Sequence, residues 1–240
     1  MRIRSCSVKQ GKLYGVGIGP GDPRYLTLRA AELLRTVDVI FTTISRNATA
    51  STSQAVVESQ KPRGRVRQLV FTMSRDRAER QAQVRDNAAA IVEELRQGHD
   101  CVFATLGDCM TYSTFGYVLP IIRAALPGLE VEVVPGITSF ATVAARTERV
   151  LVENRAALHI IPSFSEDAAD HLDFPDNSTT VLLKTYRHRK ALLERLRREK
   201  DIDILYAEHL TMDDEFFSTN LDEIAQRPEE YLSLMVVKKS

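Results

Sequence analysis

The sequence has few of the features that mark disulfide-stapled, membrane-spanning or nucleic-acid-binding proteins. Its three cysteines, Cys6, Cys101 and Cys109, form no CxxC pair and are too few for a disulfide framework, so we expect reduced thiols. No apolar run approaches the roughly 18 residues that a membrane helix needs. Lys plus Arg equal Asp plus Glu, at 32 each, so the overall charge favours neither nucleic acid nor an acidic membrane as a partner.

Two further absences concern location and metal binding. The first stretch of the chain, MRIRSCSVKQ, lacks the apolar segment of a secretory signal, which predicts a cytoplasmic protein without a membrane partner. The histidines show no metal-ligand spacing, and we therefore expect no metal held by the protein itself.

A distinctive strand, loop and helix pattern lies at residues 14–23, YGVGIGPGDP. The apolar run of residues 13–18 enters a turn of glycine and proline, and apolar residues at helical spacing follow from Leu26. Loops of this kind carry ligands in α/β proteins. Pro20 stands where the dinucleotide fingerprint needs its third glycine, and no lysine follows as in a phosphate-binding P-loop. Another kind of ligand loop and a plain sharp turn are the two interpretations left.

Two later segments end in loops of the same type. Residues 101–106, CVFATL, are apolar on both faces, as in a central strand covered by helices, and they lead to Gly107. Residues 131–134 form the next predicted buried strand and lead to a Pro-Gly turn at Pro135. Loops at the carboxyl ends of neighbouring parallel strands meet over one crevice, so the three loops together predict a ligand site.

Weaker patterns predict the remaining elements of the first half. Residues 42–61, rich in Ser, Thr, Ala and Gln, are interpreted as a flexible or lid-like insertion around a short helix. A long helix with a polar face is expected to be capped by Ser74 and to stop at Gly98. The other predictions are strands at residues 39–41 and 66–71 and a helix at residues 115–126.

The charged segment 146–155 lacks a core pattern and predicts a domain boundary. We therefore expect an α/β protein of two α/β domains, residues 11–147 and 154–240. The second domain is predicted to contain strands at residues 158–161, 180–184, 202–207 and 232–237 and helices at residues 187–198 and 221–225. No sequence repeat relates the two halves.

Three segments in order resemble the signatures of a known family. They read GVGIGPGDPRYLTLRAAELL, TLGDCMTYSTF and VEVVPGITSF, and they are similar to the tetrapyrrole (corrin and porphyrin) methyltransferases that use S-adenosylmethionine. The resemblance covers nearly the whole chain. It implies S-adenosylmethionine as cofactor, a tetrapyrrole-methylase fold with a ligand cleft between two α/β domains, and a homodimer.

Further segments resemble one branch of this family. FTMSRDR, AEHLTMDDEFF and EEYLSLMVV are similar to the enzymes that methylate C-20 of precorrin-2 or cobalt-factor II in cobalamin synthesis. Cys109 departs from the family pattern, which has proline after Gly-Asp, and Thr72 departs from the branch pattern, which has proline before methionine. Methylation of another corrin carbon, diphthine formation on a protein, and a non-catalytic binding protein that kept the cleft are the alternatives.

The resemblance also implies roles for individual residues. Asp108 is the main candidate for a functional carboxylate, with a loop cap as the alternative, and Tyr112 is a second catalytic candidate, with a packing role as the alternative. The cofactor is expected against Pro20, Leu106, Gly107, Asp108, Met110, Thr111, Thr138, Ser139, Phe164, Thr185 and Ala207.

The substrate side of the cleft is expected to include the first loop and basic residues that bind carboxylates. Asp22 has a turn-stabilising role as its alternative. The basic run of residues 187–190 is interpreted as a charged helix face, with substrate binding as the alternative. The predicted substrate-binding residues are Gly19, Pro20, Gly21, Asp22, Arg75 and Arg77.

Overall fold

The computed structural model describes residues 9–45, 51–72, 74, 76–162, 166–186 and 188–240. The chain divides into two compact units, Met1–Thr138 and Ser139–Ser240. The division lies earlier than the predicted segment between residues 147 and 154, because Phe140 and Val143 pack in the core of the second unit. Among the described residues, no helix combines the length and the apolar character needed to span a membrane.

The first unit is a parallel sheet with helices on both faces. Its strands are β1 (Leu13–Gly17), β2 (Val39–Ser45), β3 (Arg65–Phe71), β4 (Cys101–Thr105) and β5 (Val131–Val134). Its helices are α1 (Leu28–Thr36), α2 (Thr52–Ser59), α3 (Arg77–Arg96) and α4 (Phe115–Ala125), and a short 3-10 helix spans Pro23–Tyr25. The strand order is β3-β2-β4-β1-β5, and every pair is parallel, as the apolar runs and intervening helical patterns predict.

The two faces of this sheet have separate apolar cores. Helices α3 and α4 cover one face, where Phe103 packs against Phe115 with ring centroids 5.5 Å apart. Gly15 permits this packing, since a Cβ there would lie 2.4 Å from the ring of Phe115. Helices α1 and α2 cover the other face, where Val16 and Leu34 are fully buried. The central strands are therefore apolar on both sides.

The short helix predicted within residues 42–61 is confirmed as α2, whereas the interpretation of the surrounding segment as a flexible or lid-like insertion is wrong for residues 42–45. Strand β2 continues to Ser45, because Thr42, Thr43 and Ile44 are β-branched and suit a pleated strand. Helix α2 follows. It is capped by Ser51, and its residue Val57 is fully buried in the core. Residues 46–50 lie outside the described residues.

The start of helix α3 also differs from the prediction. Asp76, not Ser74, is the N-cap, and its Oδ1 accepts the backbone N–H of Ala78 at 2.8 Å. The Ser74 hydroxyl instead accepts the N–H of Asp76 at 3.1 Å, and Ser74 lies two residues before the N-cap position. The predicted stop is confirmed, since Gly98 has a φ of 88° directly after the helix.

The second unit has a mixed sheet. Its strands are β6 (Ala157–Ile161), β7 (Ser178–Leu183), β8 (Ile202–Glu208), β9 (Phe216–Ser218) and β10 (Ser233–Lys239), and its helices are α5 (Ser139–Arg146), α6 (Glu166–Ala169), α7 (Arg189–Leu196) and α8 (Leu221–Gln226). The order is β6-β7-β10-β8-β9, with only β6 and β7 parallel. The four predicted strands are confirmed, whereas β9 and α6 were too short to predict.

Arg189 does not lie on a charged, solvated helix face as the basic run suggested. It is buried, and its Nη1 donates to the Tyr206 hydroxyl and to the Pro228 carbonyl, each at 2.9 Å. The carboxylate of Glu208, fully buried, lies 3.6 Å from the same guanidinium. Burial raises the pKa of Tyr206 to about 12. Arg189 therefore stabilises the core of the second unit, and Arg187 lies outside the described residues.

A cluster of charges ties the edge strand β5 to β1 and α1. Glu132 accepts from Arg29 Nε at 2.8 Å and from Lys12 Nζ at 3.0 Å. These two hydrogen bonds lower the pKa of Glu132 to about 2, and the bond from Arg29 has the larger effect. These charged contacts join the edge strand β5 to the start of β1 and to α1.

We expect Glu132→Gln to lower the melting temperature by an amount that depends on pH. The pKa of Glu132 lies below its ordinary value, so its stabilising effect is present above pH about 4.5 and is lost as pH falls towards 2. Melting curves of both proteins between pH 7 and pH 3 should show the difference shrink by about half by pH 3. Glu58→Gln, an exposed carboxylate on α2, is the control. A difference that stays constant over this range would contradict the assignment.

Candidate functional site

The three ligand-type loops of the first unit lie side by side. Strand β1 is central and pairs in parallel with β4 on one side and β5 on the other, so all three strands end at the same edge. The prediction that these loops meet is confirmed. Residues 18–27, 106–114 and 135–138 are named here the first, second and third site loops.

The first and second site loops are joined by a pair of backbone hydrogen bonds. The N–H of Gly107 donates to the Gly19 carbonyl at 2.7 Å, and the N–H of Gly19 donates to the Gly107 carbonyl at 3.2 Å. Both glycines have positive φ, 74° at Gly19 and 69° at Gly107, a conformation that other residues adopt at a cost. The glycines are therefore required by the backbone path of these loops.

A third close approach brings in the third site loop. A Cβ added at Gly136 would lie 2.1 Å from the Gly107 carbonyl oxygen and 2.7 Å from the Cα of Gly17. The three loops are thus packed backbone against backbone. A Cβ added at Gly107, by contrast, would meet no atom within 4 Å. The backbone at Gly107 consequently has open space beside it, which suits close approach by a ligand.

Asp108 links the second and third site loops. Its Oδ1 accepts the N–H of Met110 at 2.9 Å and the hydroxyl of Thr111 at 3.1 Å. Its Oδ2 accepts the N–H of Gly136, 28 residues away, at 3.0 Å. Both carboxylate oxygens are engaged within the protein, as in the loop-cap alternative. This geometry makes Asp108 a residue that positions the two loops.

Cys109 is the residue of the second site loop whose side chain packs into the core. It is fully buried, and its Sγ lies 3.3 Å from the Gly15 carbonyl and 3.5 Å from the Val134 carbonyl. Burial raises the pKa of the Cys109 thiol to about 11. The thiol is therefore protonated at neutral pH and unsuited to nucleophilic attack. It also occupies the place of the family's proline while Asp108 keeps its three hydrogen bonds.

We expect Cys109 to be unreactive in the folded protein. Its peptide should stay unlabelled by a thiol alkylating reagent at pH 8 in buffer and become labelled in denaturant, as resolved by mass spectrometry of the digested protein. Cys109→Ala should keep the activity of the protein within about twofold while lowering stability by about 1 kcal/mol, because only a small buried group is lost. Rapid labelling of the native protein, or abolished turnover, would show that the thiol has a chemical role.

Two apolar side chains of the second site loop are exposed. Met110, whose N–H is held by Asp108, is 60% exposed, and Tyr112, which follows Thr111, is 50% exposed. Tyr112 has a φ of 51°, a conformation that costs roughly 1–3 kcal/mol for a residue other than glycine. Strain of this kind often accompanies a functional site. The catalytic role of Tyr112 and the alternative packing role both stay predictions.

The first site loop is stabilised by Asp22. Its Oδ1 accepts the N–H of Arg24 at 2.8 Å and caps the short 3-10 helix Pro23–Tyr25. This is the turn-stabilising role given above as the alternative to substrate binding. Pro20 is buried beside Gly19, and Gly21 has a φ of 147°.

Two of the expected cofactor residues lie at one end of the second unit's sheet. Thr185 follows β7, and Ala207 lies near the end of β8, with β10 between the two strands. Both are buried, and the hydroxyls of Thr185 and Ser233 lie 3.2 Å apart. The structure thus brings these two residues to a common sheet edge within that unit.

The remaining predicted residues are dispersed. Thr138 ends the third site loop, Ser139 begins α5, and Leu106 is partly buried against the α1 face of the first unit's core. Arg77 begins α3 after the edge strand β3, which β2 and β4 separate from β1. Phe164 and Arg75 lie outside the described residues.

Three contributors to the site escaped the sequence-based reasoning. Gly17 and Gly136 form the close backbone packing, and Arg24 is held by Asp22. The sequence signals that could have indicated them are as follows. Gly17 is the second glycine of GVGIG, Gly136 follows Pro135, and Arg24 is the one basic residue of the first site loop.

A parallel open sheet with three glycine-containing loops packed at its carboxyl edge is typical of ligand-binding proteins of the α/β class. The family described as Tetrapyrrole (Corrin/Porphyrin) Methylases matches residues 12–225 of the chain. The chain belongs to this family, which confirms the resemblance seen in the sequence.

Known relatives agree with this assignment. A protein of Methanocaldococcus jannaschii named "Probable cobalt-precorrin-2 C(20)-methyltransferase" is 33% identical over 95% of this chain and 96% of its own. The cobalt-precorrin-2 C(20)-methyltransferase of Salmonella typhimurium is 35% identical over 73% of each chain. The uroporphyrin-III C-methyltransferase of Thermus thermophilus, solved with S-adenosylhomocysteine, has a TM-score of 0.66 at 22% identity, covering 95% of this chain and 92% of its own. The fold class predicted from the sequence is confirmed.

Proposed function

We propose that the protein transfers a methyl group from S-adenosylmethionine to C-20 of precorrin-2 during cobalamin synthesis, with the cobalt-containing form as the preferred substrate. The observation that carries this proposal is the 33% identity to the Methanocaldococcus jannaschii relative over nearly the whole of both chains. The 35% identity to the Salmonella typhimurium enzyme supports the preference for cobalt, because both names specify cobalt-precorrin-2.

The second site loop fits S-adenosylmethionine on three observations. Space is open beside the backbone of Gly107, the exposed Met110 offers an apolar surface for the adenine, and the Thr111 hydroxyl keeps acceptor capacity while it donates to Asp108. When bound, S-adenosylmethionine would supply an activated methyl group on a sulfonium. The other proposed cofactor residues are Pro20, Leu106, Thr138, Ser139, Phe164, Thr185 and Ala207.

The proposed contribution of the chain to catalysis is alignment. Asp108 holds the second and third site loops together through Met110, Thr111 and Gly136, and the Gly19–Gly107 hydrogen bonds hold the first loop to the second. Well-oriented reactants can save roughly 7–11 kcal/mol of activation free energy. A sulfonium leaves as a neutral thioether, so the leaving group needs no acid from the protein. A base would only assist loss of a substrate proton.

We further propose that the protein acts as a homodimer in the cytoplasm. The dimer rests on the family resemblance, and the location rests on the three cysteines, which are too few for a disulfide framework and are expected to be reduced. Sedimentation equilibrium of the purified protein at micromolar concentration would test the dimer, and a single species of 27.0 kDa would contradict it.

Two measurements test the proposed activity. Calorimetric titration should show heat of binding for S-adenosylmethionine and S-adenosylhomocysteine, and incubation with precorrin-2 or cobalt-precorrin-2 should add one methyl group by mass analysis. No heat and no thermal shift at millimolar cofactor would overturn the proposal. Methylation of another acceptor alone would indicate a different member of the family, and binding without turnover would indicate a non-catalytic binding protein.

A further inference from the structure

The charges of the three site loops are unevenly distributed. Among residues 18–27, 106–114 and 135–138, Arg24 is the only lysine or arginine, and Asp22 and Asp108 are the only carboxylates. Each carboxylate oxygen of these two aspartates accepts at least one hydrogen bond from a residue of the site loops. Arg24 is therefore the one side chain on the site loops with a positive charge to offer a ligand.

Arg24 is both exposed and oriented. Its side chain is 88% exposed, whereas that of Asp22 is 12% exposed. Asp22 Oδ2 accepts from Nε at 2.8 Å and from Nη2 at 2.6 Å, so the planar guanidinium is fixed by two contacts. Nη1 takes no part in either bond. Asp22 in turn is anchored by the N–H of Arg24 at 2.8 Å.

The turn that carries Arg24 lies against the glycine pair. The carbonyl oxygen of Tyr25, the next residue, would lie 3.1 Å from a Cβ added at Gly19. Gly19 is the residue whose backbone pairs with Gly107. Arg24 thus lies in the turn that packs against Gly19, the residue that joins the first site loop to the second.

We propose that Arg24, oriented by Asp22, binds a side-chain carboxylate of the tetrapyrrole substrate and so contributes to substrate affinity. This inference rests on the proposed function, because it takes its ligand class, a tetrapyrrole polycarboxylate, from there. A guanidinium held by one carboxylate at Nε and Nη2 still presents N–H donors that match the geometry of a second carboxylate. Arg24 acts on substrate binding and leaves the cofactor contacts unchanged.

The prediction is a selective loss of substrate affinity. Arg24→Ala should raise both the KM and the Kd for cobalt-precorrin-2 about tenfold, the effect of losing one charge-assisted hydrogen-bonded contact. The values of kcat and of KM for S-adenosylmethionine should stay within about twofold. Arg24→Lys should fall between the wild type and the alanine variant, since an ammonium keeps the charge without the planar fork.

Arg35→Ala is the matched control. Arg35 is also an exposed arginine, but it lies in the last turn of α1, which leads back towards the opposite edge of the sheet. Both variants remove one positive charge, so a general electrostatic effect would appear in both. Substrate binding is measured by absorbance titration with cobalt-precorrin-2 in the presence of S-adenosylhomocysteine, and thermal melts establish that each variant is folded.

The outcomes separate this inference from the proposed function. A selective rise in substrate Kd for Arg24→Ala, absent from Arg35→Ala, supports it. An unchanged substrate Kd in Arg24→Ala, or equal changes of Kd in the two alanine variants, overturns the proposed role of Arg24. Turnover by the wild-type protein would still uphold the methyltransferase assignment in that case. A wild-type protein that neither binds nor methylates the tetrapyrrole overturns both.

Discussion

Replacing Asp108 by alanine is expected to lower kcat/KM for S-adenosylmethionine at least about tenfold, equivalent to about 1.4 kcal/mol of activation free energy. The variant loses three hydrogen bonds at once, from the N–H of Met110, the hydroxyl of Thr111 and the N–H of Gly136. The second and third site loops then lack their common acceptor. Steady-state kinetics with varied cofactor would measure the effect.

The pattern of the loss distinguishes positioning from acid-base catalysis. If Asp108 positions the loops, KM for the cofactor rises and the pH dependence of kcat keeps its shape; if Asp108 is a base, the fall in kcat at acidic pH that reports its protonation disappears. Asp76→Ala is a matched control, because Asp76 also accepts a backbone N–H at 2.8 Å but caps α3 away from the glycine cluster. It should cost about 1 kcal/mol of stability and leave turnover unchanged. Wild-type kinetics in Asp108→Ala would contradict the role assigned to Asp108.

The substitution Gly136→Ala is expected to have the second large effect. Its Cβ would lie 2.1 Å from the Gly107 carbonyl oxygen and 2.7 Å from the Cα of Gly17, so backbone atoms must move by about 1 Å. We expect a loss of about 1–3 kcal/mol in the free energy of unfolding and a fall in turnover of up to about a hundredfold. Denaturant unfolding and cofactor-saturated turnover measure the two effects separately.

Gly116→Ala is the control for Gly136→Ala. Gly116 lies within α4, and a Cβ there would meet no atom within 4 Å, so alanine should raise stability by about 0.5–1 kcal/mol and preserve turnover. Equal behaviour of the two variants would show that the close packing of the site loops at Gly17 and Gly136 does not matter for function.

The sequence predicted the edge of the first unit's sheet at which ligands are expected. Strands β1, β4 and β5 are short apolar runs that end in glycine or proline, and a parallel sheet places all such ends on one side. Their adjacency follows from local patterns plus one general rule of chain topology. The same reasoning located the strands of the second unit, except the three-residue β9.

Contacts between residues distant in the chain were not predictable in this way. The hydrogen bond from the Gly136 N–H to Asp108 spans 28 residues, and the burial of Arg189 depends on Tyr206 and on carbonyls near Pro228. From its residue type alone, a charged residue is predicted to be exposed. Only the fold supplies the buried partners that stabilise such a residue in the core. The extra length of β2 was missed because serine and threonine in the following segment resemble a loop in composition.

The most direct test of the central claim is the site of methyl transfer. Purified protein incubated with cobalt-precorrin-2 and S-adenosylmethionine carrying an isotopically labelled methyl group yields a product whose label can be located by nuclear magnetic resonance. The account predicts a single labelled methyl group at C-20 and a slower reaction with metal-free precorrin-2. A label on another ring carbon, or no label in the tetrapyrrole, would contradict it.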